Sequence, residues 1–364
     1  MDHSAQRILW PALGLLLLLF QPAHAGFTIF SQGLVVPETI SPVPAGFDSY
    51  GGQFFVLDYG GSDQGGKIMA VPATGGPATL FKSTAGLDPG HTDFGFGGGM
   101  FLPPDYGSQG GKYVAVAGGG IVSFAPDGTA SVFANTTSSG ILYLTTPTMA
   151  PAGFGTVGGE ILVTAQSDSS TPNGGSVVGF APDGTFSAFV KTPGFNPFGL
   201  AFAPAEFGSV AGKLLVSDIS SGRIFSVDAD GNVSPFAEIP LPQGDVGLRQ
   251  MAFSPPGFGE FGNLLFVSIS GSQSGGGVLG RIDVLDASGF LVATVKEGSD
   301  VQKFDPRGLL FLDGGNLLVS DASDPIILLT PANFQPVSEP ETFALLASGV
   351  LFLIGYRRRV GFSL

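Results

Sequence analysis

The chain has no cysteine, one tryptophan and three histidines in 364 residues, and only 12% of it is charged. Without cysteine there is no disulfide framework and no thiolate metal site, so stability must come from packing, and thiol usage says nothing of the compartment. Two histidines, His3 and His24, lie in the first 25 residues. That leaves His91, too little for a histidine-rich metal site; in Asp88-Pro89-Gly90-His91 it reads as a polar loop residue rather than a triad member. Basic residues are also scarce. Residues 26–337 hold 11 Lys/Arg against 26 Asp/Glu, and the whole chain carries a formal charge of −14. Such a surface repels phosphate backbones and anionic headgroups, so no nucleic acid is expected as a partner. Cations, neutral glycans and basic surfaces remain open. Long amphipathic helical patterns are missing too.

What is abundant is glycine (58), proline (28) and phenylalanine (33), in a chain that is 43% hydrophobic. Turn formers at this density can signal disorder, but the apolar content is ample for a core. Many short strands between Gly/Pro turns fit both facts, and the expected fold class is all-β.

The two ends read as addresses. Residues 1–25 have the layout of a secretory signal peptide: Arg7 in the n-region, an apolar stretch from Ile8 to Phe20, and the small-x-small site Ala23-His24-Ala25. That apolar run is shorter than a membrane span requires. At the other end, Val337-Ser338-Glu339-Pro340-Glu341 precedes an apolar segment at about 343–356 and the cluster Arg357-Arg358-Arg359. An apolar run followed by arginines is a stop-transfer arrangement with its basic end in the cytoplasm. This tail, 337–364, resembles the PEP-CTERM sorting domain, with Glu339 and Pro340 matching its motif and Ser338 standing where that family has proline. The resemblance implies an exosortase-like partner, a membrane-anchored stage, and delivery to the bacterial cell surface or extracellular matrix.

Between these ends one motif is used six times, at roughly 50-residue intervals suited to propeller blades. The copies are Gln53-Phe-Phe-Val-Leu-Asp58, Lys112-Tyr-Val-Ala-Val-Ala117, Glu160-Ile-Leu-Val-Thr-Ala165, Lys213-Leu-Leu-Val-Ser-Asp218, Asn263-Leu-Leu-Phe-Val-Ser268 and Asn316-Leu-Leu-Val-Ser-Asp321. Each reads as a buried strand. Five are preceded by a Pro-x-x-Phe/Tyr loop, at Pro44, Pro103, Pro151, Pro204 and Pro255. Asp127-Gly128, Asp183-Gly184 and Asp230-Gly231 predict type I′ hairpin turns before a fourth strand. The sixth unit ends with its third strand, Pro325 to Thr330, and the piece it lacks resembles Phe27-Thr28-Ile29-Phe30. The expected architecture is therefore a six-bladed β-propeller over 26–334, closed by the N-terminal strand. Pro197-Phe-Gly-Leu-Ala-Phe202 and the run Gly308 to Asp321 resemble NHL and gluconolactonase-type propeller repeats.

Candidate chemistry is thin. Asp58, Asp218 and Asp321 end equivalent strands, so they fall on one face and are weak candidates for a Ca²⁺ site. Capping of the following turns is the competing and favoured role. Asp228-Ala229-Asp230-Gly231-Asn232 opens like a calcium loop but lacks the downstream glutamate. Neither Gly97-Gly98-Gly99 nor Gly118-Gly119-Gly120 leads into a Lys-Ser/Thr helix start, so neither is a phosphate loop. The gluconolactonase resemblance implies a divalent metal held at the channel mouth by Glu, Asn and Asp; Glu38 is placed for it, although the Glu-Gly-Pro context is absent around Pro37-Glu38-Thr39. With no catalytic or cofactor-binding residue identified, the expectation is a non-enzymatic surface or matrix protein that binds exopolysaccharide or other surface proteins. The alternative is a metal-dependent lactonase or hydrolase.

Overall fold

The computed structural model of the chain describes residues 27–59, 66–89, 96–241, 247–271, 280–295, 304–323 and 325–337. Residues 1–25, read above as a signal peptide, His91, and the residues read as a sorting tail from Ser338 on, including Glu339, Pro340 and Arg357 to Arg359, lie outside the described residues. No helix among the described residues is long and apolar enough to cross a membrane.

Six antiparallel sheets stand around one axis. Their first strands are Pro37–Pro42, Gly98–Phe101, Ile141–Met149, Pro197–Phe202, Leu248–Phe253 and Pro306–Leu312. Each first strand touches the first strands of both neighbouring blades, and the last returns to Pro37–Pro42, so the ring is closed. The six repeated motifs form the second strands. They are buried along nearly their whole length because blades cover both of their faces, which is why they read as continuous rather than alternating apolar runs. Phe55, Val56 and Leu57 have no exposed surface at all; full burial of each such side chain stabilises by roughly 1.5–3 kcal/mol.

The Pro-x-x-Phe/Tyr loops explain the wealth of phenylalanine. In each, the aromatic N–H donates to the proline carbonyl, as from Phe47 to Pro44 (2.9 Å) and from Phe207 to Pro204 (3.0 Å). In four of the five, the turned-in ring then packs against a phenylalanine at or next to the end of the next blade's first strand. Phe47–Phe101, Phe154–Phe202, Phe207–Phe253 and Phe258–Phe311 have centroids 4.7–5.0 Å apart, near edge-to-face. Blade is thereby glued to blade on the side opposite the strand-end aspartates.

The sixth blade is completed as the sequence predicts. Thr28–Ser31 pairs antiparallel with Ile326–Leu329, with Thr28 opposite Leu328 and Ile29 opposite Ile327. A further short strand, Gln335–Pro336, adds to the outer edge of the fifth blade beside Ala293 and Thr294.

Two local expectations are corrected. The fifth copy is displaced by one residue: Phe253 faces Leu265, as Phe202 faces Leu214 and Phe311 faces Leu317. Its strand-end position is therefore Ile269, not Ser268. The cause is Asn263, which adopts φ +60° at the site taken by Gly52, Gly111, Gly159 and Gly212 in other blades. Asparagine is one of the few residues tolerating that conformation. The Asp-Gly turns also differ from type I′, because only the glycines (φ 79–84°) have positive φ. Gly128 donates to Ala125 and Ala125 to Thr129, a type I turn closed by a glycine bulge. The Asp127 and Asp183 carboxylates cap it by accepting from the amides of Thr129 and Thr185.

Candidate active site at the channel mouth

The first strands are not regular. In five blades the pairing slips by one residue, between Pro37 and Ile40, Leu144 and Pro147, Pro197 and Leu200, Leu248 and Met251, and Pro306 and Leu309. Such a bulge re-aims side chains that a flat strand would commit to alternate faces. It brings Glu38, Thr145, Phe198, Arg249 and Arg307 to one level around the axis, with Gly97 at that level in the second blade. One position deeper lie Thr39, Gly98, Thr146, Gly199, Gln250 and Gly308.

A repeated hydroxyl fixes this ring. In the fourth blade Ser217 Oγ accepts the Gly199 N–H (2.8 Å) and donates to the Arg249 carbonyl of the next blade (3.2 Å). Ser268 does the same between Gln250 and Arg307, and Ser320 between Gly308 and Glu38. Thr164 completes the set between Thr146 and Phe198. Four hydroxyls thus tie four of the five bulges to the residue at ring level in the following blade. The glycines at 199 and 308 belong to the same device, since a Cβ there would collide with the Arg249 or Glu38 carbonyl oxygen.

Charge in the ring is confined to three consecutive blades. Arg307, 7% exposed, donates from Nη2 to Asp305 (2.8 Å) and from Nη1 to Glu38 (3.4 Å). Burial works against its charge, but Glu38 and Asp305 outweigh burial and its pKa is raised. Arg249 lies with its guanidinium 4.8 Å above the Phe198 ring and has no ion pair among the described residues. Burial, then the neighbouring positive charge of Arg307, pull its pKa down to about 10. The Nε atoms of both arginines are buried without a hydrogen-bond partner.

Below the ring the channel holds a cavity of about 370 Å³. Ile40, Met100, Leu200 and Met251 give it apolar walls, while Thr39, Ser41, Thr146 and Gln250 give it hydrogen-bonding groups. The Thr146 hydroxyl is buried there with no partner. A mostly apolar pocket with a few convergent polar groups is the usual form of a small-molecule site.

The three aspartates singled out in the sequence stand at the same end of the blades but outside the ring. Asp58 accepts from the amides of Val35 and Val36 (3.0 and 2.7 Å). Asp218 accepts from the amides of Asn196 and Ser220 and from the Ser221 hydroxyl. Asp321 accepts from the amides of Asp305 and Ser323. Each carboxylate ties the segment entering its blade to the end of its second strand. Asp228 likewise spends its oxygens on Asp230 and Asn232, making a turn rather than a calcium loop. Gly97-Gly98-Gly99 is the bulge level and first strand of the second blade.

Among the described residues, the groups at the mouth do not suit a divalent metal. Glu38 is the one carboxylate in the ring, and it is paired with an arginine; Phe198 and Arg249 supply no oxygen or nitrogen ligand. Among the described residues no group of three or more His, Cys, Asp and Glu side chains is placed to hold an ion. The sequence reading missed Arg249 and Arg307 altogether. They belong to short first strands that share little sequence with one another, and only the register slip shows their equivalence.

No family model matches the chain, and no curated protein matches it. Solved structures do. A gluconolactonase of Xanthomonas campestris aligns with TM-score 0.55 at 15% identity, over 84% of this chain and 89% of that one. Regucalcin of Agrobacterium tumefaciens, a calcium-binding protein, aligns with TM-score 0.57 at 13% identity, over 87% and 97%. A luciferin-regenerating enzyme aligns with TM-score 0.54 at 14% identity, over 83% and 94%. The expectation of a non-enzymatic binding propeller is corrected by these likenesses, because the similar propellers include enzymes and the hydrolase alternative accords with them better. The chain shares the six-bladed architecture of gluconolactonase-type propellers.

Proposed function

We propose that this propeller is a hydrolase acting on the ester or lactone carbonyl of a small molecule held in the channel. The observation that carries the reading is Glu38, one position above the cavity-lining Thr39, with Arg307 as its one side-chain hydrogen-bond partner among the described residues. Arg307, itself anchored on Asp305, keeps the Glu38 carboxylate in place. The second carboxylate oxygen takes a proton from water as that water attacks the carbonyl carbon. Negative charge then develops on the carbonyl oxygen, where the unpartnered Thr146 hydroxyl is a donor not spent elsewhere. Collapse of the tetrahedral adduct breaks the carbon–oxygen ester bond, and Glu38 returns its proton to the leaving alkoxide. Every step uses side chains of this chain; none is routed through a metal, which the described residues of the mouth do not suit. A panel of small lactones and esters assayed against the full-length chain tests the reading. Turnover should fall at least about a hundredfold in Glu38→Gln, on the scale of general acid–base catalysis. Turnover equal in wild type and variant would refute it.

The same proposal assigns the chain an exported address. Support comes from the signal-like residues 1–25 and the PEP-CTERM-like tail, with Glu339, Pro340 and the arginines at 357–359 handled by an exosortase-like enzyme. Retention of an epitope-tagged chain in the cytoplasmic fraction would refute the address and leave the site untouched.

A further inference from the structure

We infer that Arg249 is the subsite for a carboxylate carried by the ligand, so that this channel takes small organic acids rather than neutral sugars or esters. The inference rests on the proposed reaction for its location and adds the class of ligand. Three observations point to it. The positive charge of Arg307 is answered twice, by Glu38 and Asp305, whereas Arg249 has no carboxylate within ion-pair distance among the described residues. Its Nε is buried and unpartnered, although a guanidinium presents five donors in a fixed plane. Its plane is held from one side by the Phe198 ring and its backbone by the Ser217 hydroxyl, so the side chain is set before any ligand arrives.

A guanidinium fixed in this way matches the two coplanar oxygens of a carboxylate through parallel N–H bonds. The apolar and hydroxyl-bearing walls below it suit the uncharged body of such a molecule, and about 370 Å³ suits one of modest size. The chain's strong acidity sharpens the inference, since a half-buried cation with no ion-pair partner among the described residues is not part of a general basic surface in a −14 protein. The Arg249 charge costs stability where it stands, and a function for it is the physical reason to keep it.

The test uses the purified full-length chain, with benzoate as the probe and benzamide as its neutral equal in size, followed by calorimetry. Benzoate should bind, and benzamide at least about tenfold more weakly. Arg249→Met should abolish that preference while melting at or above the wild-type temperature, which shows that the variant is folded. Arg249→Lys should keep part of the preference. Equal binding of the two probes, sulfate bound more tightly than benzoate, or an unaltered preference in Arg249→Met would each overturn the subsite. The two readings fail separately. Ester turnover without carboxylate preference removes the subsite and leaves the hydrolase. Carboxylate preference lost in Arg249→Met without any turnover removes the hydrolase and leaves the subsite.

Discussion

The hydroxyl of Ser320 donates to the backbone carbonyl of Glu38 at 2.6 Å, although 281 residues of chain separate the two. Ser320 is the penultimate residue of the second strand of the last blade, and Glu38 is the second residue of the first strand of the first blade. The bond therefore closes the ring at the point where the proposed catalytic carboxylate stands. Since Ser320 also accepts the Gly308 N–H at 2.7 Å, one hydroxyl satisfies the bulge of its own blade and the ring residue of the next.

Ser320→Ala should leave both backbone groups buried and unpaired. The expected loss is about 1–3 kcal/mol in urea unfolding, the cost of an unsatisfied buried polar group. A loss below about 0.5 kcal/mol would show that the relay does not hold the ring.

Gly308→Ala tests the same seam from the other side. Its Cβ would collide with the Glu38 carbonyl oxygen, and the Thr39 backbone and the Ser320 hydroxyl beside it leave little room to yield. Overpacking of this kind costs typically 1–3 kcal/mol, and the same change at Gly46, whose Cβ would meet nothing within 4 Å, should cost far less. Equal melting temperatures for the two variants would contradict the close approach.

Much of this architecture was legible in the sequence, and the part that was not has a physical reason. The second strands announced themselves because both faces are buried, which forces runs such as Leu214-Leu215-Val216. The closing strand was legible as the piece missing from the sixth unit. The fifth copy was misread by one residue because Asn263 stands in for a glycine. Of the site only Glu38 was legible, through the gluconolactonase resemblance; Arg249 and Arg307 become its neighbours through slips in pairing, which leave no periodic trace. The aspartates did repeat visibly, for their work is the same in each blade: holding backbone.

Asp321 gives the fold a pH dependence of predictable sign. It is fully buried, and burial raises its pKa above the ordinary carboxylate value despite the hydrogen bonds from Ser323. The folded state therefore holds this proton more tightly than the unfolded chain. As pH rises from the ordinary value toward the raised one, the unfolded chain ionises first and stability falls. Asp321→Asn removes this contribution, so its stability relative to wild type should improve as the pH rises from 3 to 7. A gap that narrows over that range would contradict the assignment.

The most direct test of the account is hydrolysis after metal removal. A chain dialysed against chelator and checked for metal by mass spectrometry should turn over its best lactone or ester within about twofold of the untreated protein, while Glu38→Gln stays inactive under both conditions, as expected of a general base held by Arg307. One equivalent of tightly held metal, whose removal abolishes turnover and whose return restores it, would contradict the account.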